Sequence, residues 1–141
     1  SGMFGGNSTW RGPIWMPMND ILVDSLRNYS MVLGDRVTAS MPTQGGPTKN
    51  LDQIADDFSN RLISIFEKGE DGKRPVYTRM DRFNAGDDWN DNILFFEYFD
   101  GDSGAGVGAA HQTGWTGLVA VLIEQQARKP QQSRASRSRK P

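Results

Sequence analysis

Trp10-Arg-Gly-Pro-Ile-Trp-Met-Pro-Met-Asn-Asp-Ile-Leu-Val-Asp-Ser-Leu-Arg-Asn-Tyr-Ser-Met-Val-Leu-Gly34 decides the fold class. Apolar side chains recur at Trp15, Met18, Leu22, Leu26, Tyr29 and Leu33, the spacing of one helical face. Pro17 falls in the first turn, where an absent N–H costs no hydrogen bond, and Gly34 stands where a helix closes. A helix over about Trp15 to Leu33 follows, entered through an Arg-Gly-Pro turn flanked by two tryptophans.

Two further helices are legible downstream. Leu51, Ile54, Phe58, Leu62, Ile65 and Phe66 form the apolar stripe of a helix over about Leu51 to Lys68, ended by Gly69. Asn50 with Gln53 three residues on is a variant of the capping box. Trp115, Leu118, Val119, Leu122 and Ile123 form the inward face of a third helix, Thr113 to Arg128, stopped by Pro130. Met41 to Lys49 is a loop by its Pro, Gly and Thr content, Pro75 to Tyr77 a short extended piece, and Ile93 to Phe99 an extended segment or single turn. The fold class is therefore mainly α.

At 141 residues and 36% hydrophobic composition, the chain has the size and balance of one small globular domain. No apolar run approaches the roughly 20 residues of a membrane span, no signal peptide is visible, and a membrane is not an expected partner. The first residue is Ser1 rather than Met, which reads as a start inside a longer gene product or as processing. With no cysteine, disulfides and thiol chemistry are excluded. The compartment stays open, with the cytoplasm favoured.

The net charge of −1 hides an asymmetry, because Arg128, Lys129, Arg134, Arg137, Arg139 and Lys140 are all basic and all lie at the end. Residues 128–141 hold no large apolar side chain and read as a disordered basic tail after a domain of residues 1–127. Such a tail could contact nucleic-acid phosphates, but no aromatic residue interleaves its charges for base stacking. Nucleic acid is not the expected partner.

Three stretches could carry chemistry. Glu97 is the lone acid of Ile93-Leu-Phe-Phe-Glu-Tyr-Phe99. Burying a carboxylate there costs several kcal/mol unless it is paired, which suits a base in an aromatic pocket; a strand pointing Glu97 to water fits equally. In Asn7-Ser-Thr-Trp-Arg-Gly-Pro-Ile-Trp15, Trp10 and Trp15 could stack on sugar faces and Arg11 could bond hydroxyls, or all three could be ordinary core and surface residues. Gly101 to Trp115 contains Gly104, Gly106 and Ala109 in dinucleotide-fingerprint spacing, but the second strand and distal acid of that site are missing. Asp100 and Asp102 hint at a calcium loop whose twelfth position is His111 instead of glutamate, and the cluster from Asp87 to Asn92 fails similarly. His111 is the single histidine, so a His-rich metal site is excluded. Asn7-Ser-Thr9 and Asn28-Tyr-Ser30 match the glycosylation pattern by chance.

Taken together, Gly5-Gly-Asn-Ser-Thr-Trp-Arg-Gly-Pro-Ile-Trp15, Phe96-Glu-Tyr-Phe99 and Gly108-Ala-Ala-His-Gln-Thr-Gly-Trp-Thr-Gly-Leu-Val119 resemble glycoside hydrolase family 63. The resemblance spans residues 3–125 in order. It implies the last helices of an (α/α)6 barrel and an inverting hydrolase of α-linked glucosides or related small glycosides, such as glycosylglycerates. It places the general base on Glu97 and substrate contacts on Trp10, Trp15 and Gln112, with His111 and Arg11 as weaker assignments. It implies no cofactor and no metal. The expected partners are a carbohydrate substrate and the N-terminal remainder of the same domain. The family's general acid is an aspartate in an upstream Ser-Gly-x-Asp segment, and Ser1-Gly2-Met3-Phe4 is not that segment. The isolated chain is therefore expected to be inactive. The alternative is a non-catalytic carbohydrate-binding or structural fragment.

Overall fold

The computed structural model describes residues 10–40, 46–84 and 92–129. Helix accounts for 52% of them, as the mainly α reading expects. Helix α1, Met16–Leu33, begins after Trp15, whose extended backbone turns the chain into the helix, and it has Pro17 at its start. It ends at Gly34, whose N–H bonds the Ser30 carbonyl.

The inward face of α1 differs from the expected one. Met16 and Val23 are fully buried and Leu26 packs against the core, whereas Met18, Leu22 and Tyr29 are exposed. The reason is composition: Ile21, Val23, Met31 and Val32 make α1 apolar nearly all round, so periodicity defines two candidate faces. The structure turns the Met16–Val23–Arg27 side toward helix α2.

A short antiparallel hairpin, β1 (Thr38–Ser40) with β2 (Thr48–Asn50), leads into α2, Leu51–Ser64. Thr48 and Lys49 are thus strand residues rather than loop. Asn50 and Gln53 complete the capping box: the Asn50 side chain accepts from the Gln53 N–H at 2.9 Å, and the Asn50 N–H donates to the Gln53 side chain at 3.0 Å. The helix stops at Ser64, short of Lys68, because Phe66 N–H bonds Ile63 O and Ile65 O is taken by the Val76 N–H. Pro75–Tyr77 is a 3-10 turn rather than an extended piece, and a short helix α3, Asp81–Asn84, follows it.

The third expected helix is two: α4, Thr113–Thr116, and α5, Val119–Arg128. Around Gly117 the bonds tighten to three-residue spacing, Ala120 N–H to Gly117 O and Val121 N–H to Leu118 O, which shifts the inward face. Val119 and Leu122 are buried, while Ile123 is exposed. Arg128 belongs to α5, and Lys129 reaches back to Asp52 at 2.8 Å and Asp56 at 2.7 Å on α2. Residues 130–141, Asn7 and the Asp87 to Asp91 stretch lie outside the described residues.

The core gathers Met16, Val23, Ala55, Leu62, Phe66, Val76, Tyr77, Phe96, Phe99 and Leu122. A polar seam joins the helices above it: Arg27 donates to Ser59 at 3.2 Å, bonds Gln125 and faces Asp56 at 3.5 Å. Tyr77 anchors the approach to the Glu97 segment, its hydroxyl donating to Asn92 O at 3.1 Å and accepting from Leu94 N–H at 3.0 Å.

Candidate functional site

The segment Phe95–Phe99 bends at Glu97, runs into a short strand at Tyr98–Phe99, and is held on both sides. On one side, Ile14 and Phe99 exchange both backbone bonds at 2.8 and 2.9 Å, which fixes the Trp-Arg-Gly-Pro-Ile-Trp turn against it. On the other, Tyr98–Phe99 (β3) pairs antiparallel with Gly106–Val107 (β4). Further along, Gln112 N–H bonds Phe95 O at 2.8 Å, and the buried Thr116 hydroxyl donates to Phe96 O. Polar backbone buried in this way must be paired, and these bonds fix the segment's register against its neighbours.

Glu97 is clamped to one residue twice. Its N–H donates to Ala109 O at 2.8 Å, and its carboxylate Oε2 accepts from Ala109 N–H at 3.3 Å. The other oxygen has no protein partner among the described residues. Gly108 makes this approach possible: its φ is +78°, and a Cβ there would stand 2.6 Å from Glu97 Oε2 and 2.9 Å from Tyr98 Cε1. The carboxylate and the tyrosine edge therefore border the same glycine.

Tyr98 is the end of an aromatic stack. Its ring lies 4.7 Å from Trp15, Trp15 lies 4.2 Å from Trp10, and Trp115 lies 6.0 Å from Trp15 and 6.2 Å from Trp10. Trp15 is only 5% exposed, whereas Trp10 is 51% exposed. One member of the cluster is thus buried and another presents its ring to solvent, as a stacking surface for a ligand must. The indole Nε1 groups of Trp15 and Trp115 are buried and donate to no protein atom among the described residues.

Of the six residues singled out from sequence, Trp10 and Trp15 are in contact, and Glu97 adjoins their cluster through Tyr98. His111 is exposed and Gln112 half-buried; both join the Phe95 backbone, two residues from Glu97, by their own backbones. Among the described residues neither side chain bonds Glu97. Arg11 is exposed and lines a neighbouring cleft with Tyr98. Tyr98 and Trp115 were not singled out as ligand contacts. Trp115 reads as a core residue of a helix, and only the fold brings it to Trp10.

Asp100 is occupied in its own turn. Its Oδ1 accepts from Asp102 N–H, Ser103 N–H and the Ser103 hydroxyl, and its Oδ2 pairs with Arg79 at 3.0 Å. The Ser103 hydroxyl bond, ahead of the Ser103 backbone bond, holds this carboxyl below its usual range. Gly104 lies in the loop and Gly106 in β4, so these glycines do not form a strand-to-helix phosphate loop.

With this geometry in view, sequence relatives become informative. An uncharacterised protein of Saccharomyces cerevisiae is 42% identical over 87% of this chain. A probable mannosyl-oligosaccharide glucosidase of Schizosaccharomyces pombe is 29% identical over 85% of it, and the mannosyl-oligosaccharide glucosidase of Saccharomyces cerevisiae 26% over 81%. The matched segment is only 12%, 11% and 11% of those proteins' lengths. No protein-family model and no solved structure matches the chain. The chain is thus a distant relative of one segment of known glucosidases.

Proposed function

We propose that this chain supplies the general base and part of the sugar-binding wall of an inverting α-glucosidase of glycoside hydrolase family 63. In this reading it works within a longer polypeptide, as the last helices of an (α/α)6 barrel. The observation that carries the proposal is the placement of Glu97: a carboxylate bonded through one oxygen to the Ala109 N–H, its other oxygen without a partner among the described residues, bordering the same glycine as the end of a tryptophan stack. The similarity to glucosidases across that same segment supports it.

Inversion needs two carboxyl groups roughly 6.5–9.5 Å apart, with a water between one of them and the anomeric carbon. Glu97 takes a proton from that water as its oxygen attacks the anomeric carbon. An acid from elsewhere in the longer polypeptide protonates the departing glycosidic oxygen. The Ala109 N–H holds Oε2 in place and leaves the second oxygen to the water. Trp10 and Trp15 shape the sugar site and limit bulk water. The substrate class is α-linked glucosides or closely related small glycosides, and Gln112, His111 and Arg11 are further candidate contacts.

The test is turnover of α-linked diglucosides by the longer polypeptide with single amide replacements at residues 97, 100 and 102. Glu97→Gln should lower kcat by at least about 100-fold with KM nearly kept, because a base acts only in the chemical step. A near-normal kcat for Glu97→Gln, with collapse for Asp100→Asn or Asp102→Asn, would move the base elsewhere.

A further inference from the structure

Glu97 sits at a bend between the bridge at Phe95 and the strand that starts at Tyr98, so regular ladder pairing does not fix its backbone. Individual bonds do. The peptide unit that enters it, Phe96 C=O with Glu97 N–H, is bonded at both ends. The Glu97 N–H donates to Ala109 O at 2.8 Å, and the Thr116 hydroxyl donates to Phe96 O. A peptide unit is planar, so bonds at its two ends set its orientation and with it the position of the Glu97 Cα. Among the described residues no other side chain bonds the backbone of residues 95–97.

The two anchors differ in kind. Ala109 belongs to the loop after β4, entered through Gly108. Thr116 is fully buried at the end of α4, and its own N–H bonds Gln112 O at 2.8 Å. Gly117 permits that tight turn, since a Cβ there would collide with Thr113 O. The residue before Thr116 is Trp115, whose ring lies 6.0 Å from Trp15 in the tryptophan cluster. Consecutive residues of one short helix therefore touch the aromatic wall and the peptide that carries Glu97.

Resting on the proposed base role of Glu97, we infer that Thr116 is a positioning residue: its hydroxyl, through Phe96 O, sets where the base stands relative to the tryptophan wall. A hydroxyl that merely satisfied a buried carbonyl would support stability without singling out the chemical step. Steady-state kinetics of the longer polypeptide separate the two. Thr116→Val nearly keeps the shape and removes the donor. It should lower kcat about tenfold or more, since a small misplacement of a reacting group costs up to about 100-fold, with KM nearly kept. Thr116→Ser, which keeps the hydroxyl, should retain most of the parent kcat, and Thr116→Cys, a weak donor, should fall between. Placed on top of Glu97→Gln, Thr116→Val should lower kcat by no more than about twofold, because the group it positions is already gone. Where Thr116→Val does not fold, the serine and cysteine replacements carry the test, and equal kcat for the two would overturn the inference. An undiminished kcat in Thr116→Val would do the same, as would an equal fold-loss with and without Glu97→Gln. Full turnover by Glu97→Gln alone would instead remove the base assignment, and this role with it.

Discussion

Gly108 sets how closely the backbone can approach the Glu97 carboxylate. An alanine there would carry a positive φ and press its methyl against Oε2 and the Tyr98 ring. The backbone cost alone is about 1–2 kcal/mol. Gly108→Ala should therefore destabilise the longer polypeptide by at least about 1 kcal/mol and lower kcat more than it raises KM, measured by denaturant unfolding and steady-state kinetics. Asp100 behaves differently. Its folded-state pKa is lowered, first by the Ser103 hydroxyl. Its contribution to stability is complete above the ordinary carboxylate range and is lost as pH falls through the lowered value. Asp100→Asn should thus be less stable than the parent at neutral pH, and the difference should vanish in strong acid. Melting curves across pH check this. At this scale the sequence was informative about Glu97, because an acid alone among aromatics is chemically conspicuous. It was silent about Gly108 and Tyr98, whose importance comes from a pairing register that no local pattern encodes.

Helix α1 shows what an element reveals and conceals. Its limits were legible, since Pro17 and Gly34 act locally on backbone geometry. Its buried face was not, because apolar residues surround the helix and long-range packing chooses between faces. On that packed side Asp20 has a buried Oδ1 without a hydrogen-bond partner among the described residues. Burial raises its pKa, Asp24 adds to the shift, and Arg27 partly offsets it. A raised carboxyl pKa favours the folded state at low pH, and that advantage is lost as pH rises through the folded value. Asp20→Asn should therefore raise the melting temperature slightly at pH 7, with the gain fading as pH falls through the raised folded value and the ordinary carboxylate range below it. A gain that persists in acid would contradict this account. In α2 the local signal was sufficient: the capping box formed as spaced, and Asn50→Ala should cost about 0.5–2 kcal/mol of stability. The Gly117 break between α4 and α5 was hidden because a helical stripe tolerates one glycine without losing its period.

Among the described residues, the second face of α1 is exposed: Met31 is 79% and Val32 72% exposed, and Ile21 and Tyr29 join them. Val121 and Ile123 on α5 are also exposed. An apolar surface of this kind is what a segment of a larger helical domain would present to its neighbours. The 141-residue chain expressed alone should accordingly aggregate or lack fixed packing, read by size-exclusion chromatography and near-ultraviolet circular dichroism. A monodisperse monomer with a sharp cooperative melt would count against it. The central claim, water activation by Glu97 with inversion, is tested most directly by proton NMR of the glucose first released from an α-glucoside whose leaving group is not a sugar, such as 4-nitrophenyl α-glucoside. The longer polypeptide should liberate β-glucose first, at a rate at least about 100-fold lower in the Glu97→Gln variant. Initial release of α-glucose, or undiminished release by Glu97→Gln, would contradict it.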